Sequence, residues 1–170
     1  MPKLSAELHT QNQLYTVEQK ARRDQSQWTL VQGVLAPVQF LVFLVSSFLI
    51  GWYLVSGNGY ELAAASVVLK TFFLYTIMIT GAIWEKEVFG RYLLAPAFFW
   101  EDIVSFFVIA LHSVYLIVLA TNYVDDQTKI WVAIIAYVVY VINAIQFLLK
   151  FRLARNSSKI SAKADDGILI

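Results

Sequence analysis

Cysteine is absent from the chain, which removes disulfides, thiolate nucleophiles, and iron–sulfur and zinc-thiolate centres from consideration. No glycine-rich nucleotide loop and no HExxH pattern occurs, so ATP hydrolysis and zinc proteolysis are not expected. The first 27 residues have no apolar core followed by a small-residue cleavage site, so they do not read as a signal peptide. No internal repeat is visible, and charge is scarce at 15% of residues. Hydrophobic residues make up 59%, more apolar surface than a water-soluble domain of 170 residues could hide. The chain therefore reads as a membrane protein.

Four long segments carry the apolar excess. Gln25 to Tyr60, Thr71 to Trp84, Ile103 to Val124 and Ile130 to Leu149 contain no charged residue. About 20 residues rising roughly 1.5 Å each cross a hydrocarbon core of about 30 Å. Four helices fit, at about Trp28 to Tyr53, Leu62 to Trp84, Trp100 to Ala120 and Ile130 to Lys150. Helices are favoured because an open sheet would strand backbone polar groups in lipid. Short connections around Gly57-Asn58-Gly59 and Asp125-Asp126 make sequential helices antiparallel neighbours in one all-α bundle. The expected organisation is a polar or interfacial segment over residues 1–27, with Tyr15 to Asp24 as its helical part. A catalytic four-helix domain follows over 28–150, then a basic and tail-like stretch over 151–170.

Basic residues set the expected orientation. Lys3, Lys20, Arg22, Arg23, Lys86, Arg91, Lys150, Arg152, Arg155, Lys159 and Lys163 fall on one side of the membrane and only Lys129 on the other. Eleven against one places both termini and the Glu85 to Phe99 connection in the cytoplasm. The tryptophans Trp28, Trp52, Trp84, Trp100 and Trp131 fall at helix ends and read as interfacial belts.

The polar residues inside these apolar segments carry the chemistry. Glu101, Ser105, Val108, His112 and Tyr115 share one face of the third helix, with Glu101 and His112 about 16 Å apart along the axis. Such a pair brackets a tall slot suited to a planar ligand. Thr71, Tyr75, Met78, Ala82 and Glu85 align on the second helix, Tyr140, Asn143 and Phe147 on the fourth with Gln146 adjacent, and Gln32 and Gln39 on the first. If these stripes converge, Glu85, Glu101, Gln32 and Gln146 sit at similar depth near the cytoplasmic face. Plainer readings stand beside this one. Glu85, Lys86 and Glu87 also fit an ordinary charged helix end, and one of Glu101 and Asp102 suits a helix start. Gln39, Tyr75 and Asn143 suit interhelical hydrogen bonds. Lys70, inside the second helix, is expected to snorkel outward. His112 is either a neutral imidazole bonded to a neighbouring carbonyl or an axial ligand to a metal-centred macrocycle.

Beyond this reading, RRDQSQWTLVQG at Arg22 to Gly33, LAPVQFLVFLVS at Leu35 to Ser46, YTIMITGAIWEKEVFG at Tyr75 to Gly90, LAPAFFWED at Leu94 to Asp102, VIALH at Val108 to His112 and YVINAIQFLLK at Tyr140 to Lys150 resemble the C3-vinyl (bacterio)chlorophyllide hydratase family. The resemblance covers about Tyr15 to Arg155. It implies a multi-pass hydro-lyase of bacteriochlorophyll biosynthesis in the cytoplasmic membrane of a phototrophic bacterium. Such an enzyme adds water across the vinyl group of chlorophyllide a or 3-vinyl bacteriochlorophyllide d to give a 1-hydroxyethyl group, without redox chemistry. It needs no cofactor of its own, because the magnesium belongs to the substrate.

Markovnikov addition needs an acid for the terminal vinyl carbon and a base that positions water, which assigns Glu85, Glu101 and Asp102 to catalysis. Arg22, Arg23, Lys86 and Arg91 offer cations for the substrate's propionate, and His112 a ligand for its magnesium. The expected partners are the pigment, the bilayer, and a second copy or another enzyme of the same pathway, with no nucleic acid. A non-catalytic pigment carrier would need the slot and His112 but not the carboxyl groups. A small proton-coupled transporter or quinone-binding subunit would use Lys70, His112 and the carboxylates as a proton path.

Overall fold

The computed structural model describes residues 14–166, with side chains as far as Arg152 and at Arg155. Lys3 and residues 167–170 lie outside the described residues, as do the side chains of Lys159 and Lys163. Five α-helices and no strands are present among the described residues: α1 Val17–Gln25, α2 Gln27–Ser56, α3 Tyr60–Phe89, α4 Phe99–Thr121 and α5 Asp126–Asp166. The last four contain segments long and apolar enough to cross a bilayer. Large apolar side chains such as Leu41, Phe48, Phe72, Phe107 and Ile117 face outward, where lipid is the matching solvent.

The helices overrun their expected limits because nothing in the sequence stops them sooner. The α2–α3 turn needs only three residues, since Gly57 (φ 71°) and Gly59 (φ 86°) take left-handed backbone without strain. α3 continues through Glu85, Lys86 and Glu87 to Phe89 and stops at Gly90. Glu85, expected in a connection, is thus a helical residue. α5 starts at Asp126, where Asp125 accepts hydrogen bonds from the Thr128 backbone N–H (3.1 Å) and hydroxyl (2.7 Å). Past Lys150 it runs on to Asp166, so the tail-like stretch after Ala154 begins as helix; its Ala, Lys, Arg and Ser content includes no proline or glycine before Gly167.

α2 pairs with α3 and α4 with α5, giving two antiparallel hairpins joined by residues 90–98. Small buried side chains, Ala63, Ala133 and Ala136, let backbones approach closely. The seam between the hairpins is unusually polar. Ser46 Oγ meets both Ser66 Oγ (2.7 Å) and the Tyr137 hydroxyl (2.6 Å), and the Tyr75 hydroxyl meets Ser113 Oγ (2.6 Å). Short α1 lies against the end of α3, with Tyr15 stacked on Phe89 at 5.7 Å.

Candidate active site

The 90–98 connection folds back over the ends of α3 and α4 and presents its backbone to two carboxyl groups. The Leu94 N–H donates to Asp102 Oδ2 at 2.7 Å, and the Ala95 N–H donates to Glu85 Oε2 at 3.2 Å. Leu94 achieves this in left-handed backbone (φ 58°), a conformation that costs a non-glycine residue about 1 kcal/mol. Glu85 and Asp102 are both buried, and their carboxyl groups are neighbours on this one backbone corner. Two carboxyl groups this close in an apolar bundle favour keeping one proton between them, because two like charges there repel. The pair is therefore suited to holding a proton.

Glu101 stands beside this pair with a different partner, since Lys150 Nζ approaches its Oε2 to 2.6 Å. Its position one turn from the start of α4 also favours negative charge through the helix dipole. Phe98, buried, packs against Trp84, Phe89 and Phe147 at ring separations of 5.6 to 6.1 Å, forming an aromatic cluster at the same end of the bundle. Trp84, half-buried, packs on Phe98 and its Nε1 donates to Thr29 Oγ1 at 2.9 Å.

The expected face of α4 is confirmed residue by residue, as Glu101, Ser105, Val108, His112 and Tyr115 are all buried. The tall slot between Glu101 and His112 is not open, however: Leu74, Val108 and Tyr140 pack into one cluster between them. His112 is fully buried and its Nδ1 lies 2.8 Å from the Val108 carbonyl. A carbonyl only accepts, so in the neutral ring Nδ1 carries the hydrogen and Nε2 a lone pair, and Nε2 has no partner among the described residues. The plain reading of His112 thus holds for one nitrogen and leaves the other available.

The remaining candidates separate into groups. Gln39 is buried, and Asn143 Nδ2 donates to Ser105 Oγ at 2.8 Å; each keeps a buried oxygen unpartnered among the described residues, as does Gln146. Gln32 is not brought to the carboxyl groups: its Nε2 donates to Thr80 Oγ1 at 2.7 Å within the α2–α3 hairpin. Tyr75 is spent on Ser113 across the seam. Among the surface cations, Arg22 pairs with Glu18 (3.4 Å), Arg23 with Asp24 (2.6 Å), and Lys86 donates to the Gly90 carbonyl (3.1 Å), while Arg91 is exposed. Lys70 corrects its expectation outright. It does not snorkel; it is fully buried, with Nζ 3.5 Å from the centre of the Tyr140 ring.

Lys150 and the backbone of Leu94 and Ala95 hold the carboxyl groups in place and were not singled out from sequence. A separate open groove of about 470 Å³ between α2 and α5 is lined by apolar groups such as Phe43, Ile50, Ile134 and Val138, and it contains none of the carboxyl groups.

Residues 15–153 match a family model described as 2-vinyl bacteriochlorophyllide hydratase. A protein of that name from Cereibacter sphaeroides is 62% identical over 142 residues, which span 84% of this chain and 88% of its own. Another of the same name from Rhodobacter capsulatus is 56% identical over 157 residues, 92% of this chain and 90% of its own. No solved structure matches. With the match running through both hairpins and every carboxyl group of the site, the chain belongs to the 2-vinyl bacteriochlorophyllide hydratase family.

Proposed function

We infer that this chain hydrates the vinyl side group of a magnesium (bacterio)chlorophyllide, converting it to 1-hydroxyethyl by acid-catalysed addition of water. The observation that carries this reading is the buried Glu85–Asp102 pair, two neighbouring carboxyl groups suited to keeping one proton between them beside the Phe98 aromatic cluster. Asp102 has the shorter backbone hydrogen bond, 2.7 Å against 3.2 Å, so it is the better seat for negative charge and Glu85 the better seat for the proton. Glu85 gives that proton to the terminal vinyl carbon, leaving cationic character on the inner carbon, conjugated with the ring. Water attacks there and its proton passes to Asp102. Transfer from Asp102 to the neighbouring Glu85 then returns the pair to its starting state. Water is added and nothing is oxidised or reduced.

Glu101, engaged by Lys150, supplies fixed negative charge beside the developing cation. His112 Nε2, a lone pair with no partner among the described residues, suits the magnesium of the substrate. Arg91, exposed in the 90–98 connection, is placed to meet the propionate of an arriving pigment. The acid end of the bundle faces the cytoplasm in this reading, with both termini on the same side.

Membranes carrying E85Q, D102N or E101Q, incubated with chlorophyllide a, provide the test. E85Q and D102N are expected to lower turnover by about 10²–10⁴-fold, the usual contribution of a positioned acid or base, with insertion intact. E101Q is expected to cost about tenfold, since it removes charge but no proton transfer. Gain of one water, read by mass and absorption, reports the activity. Undiminished hydration by both E85Q and D102N would remove this assignment, and pigment retained by the wild type without conversion would favour a carrier.

A further inference from the structure

Three lysines sit within or against the bundle, and two have anionic or amide partners. Lys129, nearly as buried as Lys70, is held by Asn122 and Asp126, and Lys150 by Glu101. Among the described residues Lys70 is the one of the three whose Nζ has no hydrogen-bond acceptor. The Tyr140 π face at 3.5 Å offsets part of an ammonium's lost hydration but accepts none of its N–H donors in the manner of an oxygen. An ionisable group placed at this depth without a partner is expensive.

Its position is as informative as its isolation. Lys70 comes from α3 and Tyr140 from α5, so the ammonium lies in the seam between the hairpins. Tyr140 precedes Lys150 by ten residues, about 15 Å of helix, and Lys150 grips Glu101 at the acid end. That span is comparable with the long dimension of a substituted chlorin. His112 Nε2 and Gln39 Oε1, also unpartnered, belong to the same buried region as Lys70. Arg22, Arg23 and Lys86 already have protein oxygens and are weaker claimants for one from the substrate.

We propose that Lys70 anchors the deep end of the pigment by donating to an oxygen on the macrocycle's rim, while the vinyl group meets the carboxyl pair at the other end. This rests on the vinyl-hydratase reading. The oxygen is that of the free carboxylate or of a ring carbonyl, both strong acceptors for an ammonium.

The experiment uses the full chain in lipid nanodiscs, wild type and K70M, with chlorophyllide a, its methyl ester, and the analogue whose ring ketone is reduced to methylene. Methionine replaces an unpartnered buried amine with an apolar side chain of similar length, which removes a desolvation cost without opening a large cavity. K70M is expected to bind chlorophyllide a about 10–100-fold more weakly, the value of one charge-assisted hydrogen bond, with the loss seen in both Kd and KM. The wild type should lose a similar factor with one of the two analogues, and K70M should be indifferent to that change. Sensitivity to the ester names the carboxylate; sensitivity to the methylene names the carbonyl. If K70M binds all three pigments as the wild type does, or if neither analogue weakens wild-type binding, the anchor is wrong. A wild type that binds but does not hydrate removes the hydratase reading and leaves Lys70 to be judged on affinity; one that retains no pigment removes both.

Discussion

Leu94 shows how much of the site depends on backbone that no side-chain pattern reveals. Its left-handed conformation turns two consecutive N–H groups toward Asp102 and Glu85, so strain in one residue positions two carboxyl groups. Glycine adopts this conformation freely, whereas a β-branched residue resists it. L94G is therefore expected to keep turnover within about threefold, and L94I to lower both turnover and thermal midpoint, by about 1–3 kcal/mol in stability. Equal effects of the two substitutions in a turnover and melting assay would show that the conformation is not what matters. The buried face of α4 was legible from spacing alone, because four-three periodicity through Glu101, Ser105, Val108, His112 and Tyr115 admits one helical face. Lys70 was legible too, sharing the face of Ala63, Val67 and Leu74 at spacings of four, three and four. The expectation of snorkelling weighed the residue's character above its register. The meeting of Glu85 with Asp102 was beyond reach, since it depends on how residues 90–98 fold back.

At the scale of the helices, existence and order followed from uninterrupted apolar length, while the limits followed from stop signals. Glycine at 57, 59 and 90 marks where α2 ends and where α3 begins and ends, and charge at Glu85 to Glu87 does not stop a helix. The pairing of helices across the seam depends on hydroxyl groups that a hydropathy pattern treats as neutral. Tyr137 reaches from α5 to Ser46 on α2, which also meets Ser66 on α3. Y137F keeps the ring and removes that bond, an expected loss of about 1 kcal/mol. For a protein of this size that is a fall of about 2–4 °C in thermal midpoint, measurable in nanodiscs. A midpoint equal to the wild type would mean that the seam is held by apolar packing alone.

For the molecule as a whole, the basic residues and the carboxyl site gather at the same end of the bundle, which gives the orientation a simple test. Reporters inserted in the turn at 57–59 and at 122–125 are expected to be active only outside the cytoplasm. Reporters in the 90–98 connection or after Asp166 are expected to be active only within it. The reverse pattern would turn the carboxyl site outward and remove cytoplasmic delivery of pigment. Leu74, Val108 and Tyr140 fill the interior with one apolar cluster, so a flat ring that reaches this region has to displace them. Residues 90–98 are the covalent joint between those hairpins and also the segment that aligns the two carboxyl groups. One nine-residue segment thus sets both the spacing of the hairpins and the alignment of the carboxyl groups, so lengthening it by one or two residues is expected to lower pigment binding and turnover together.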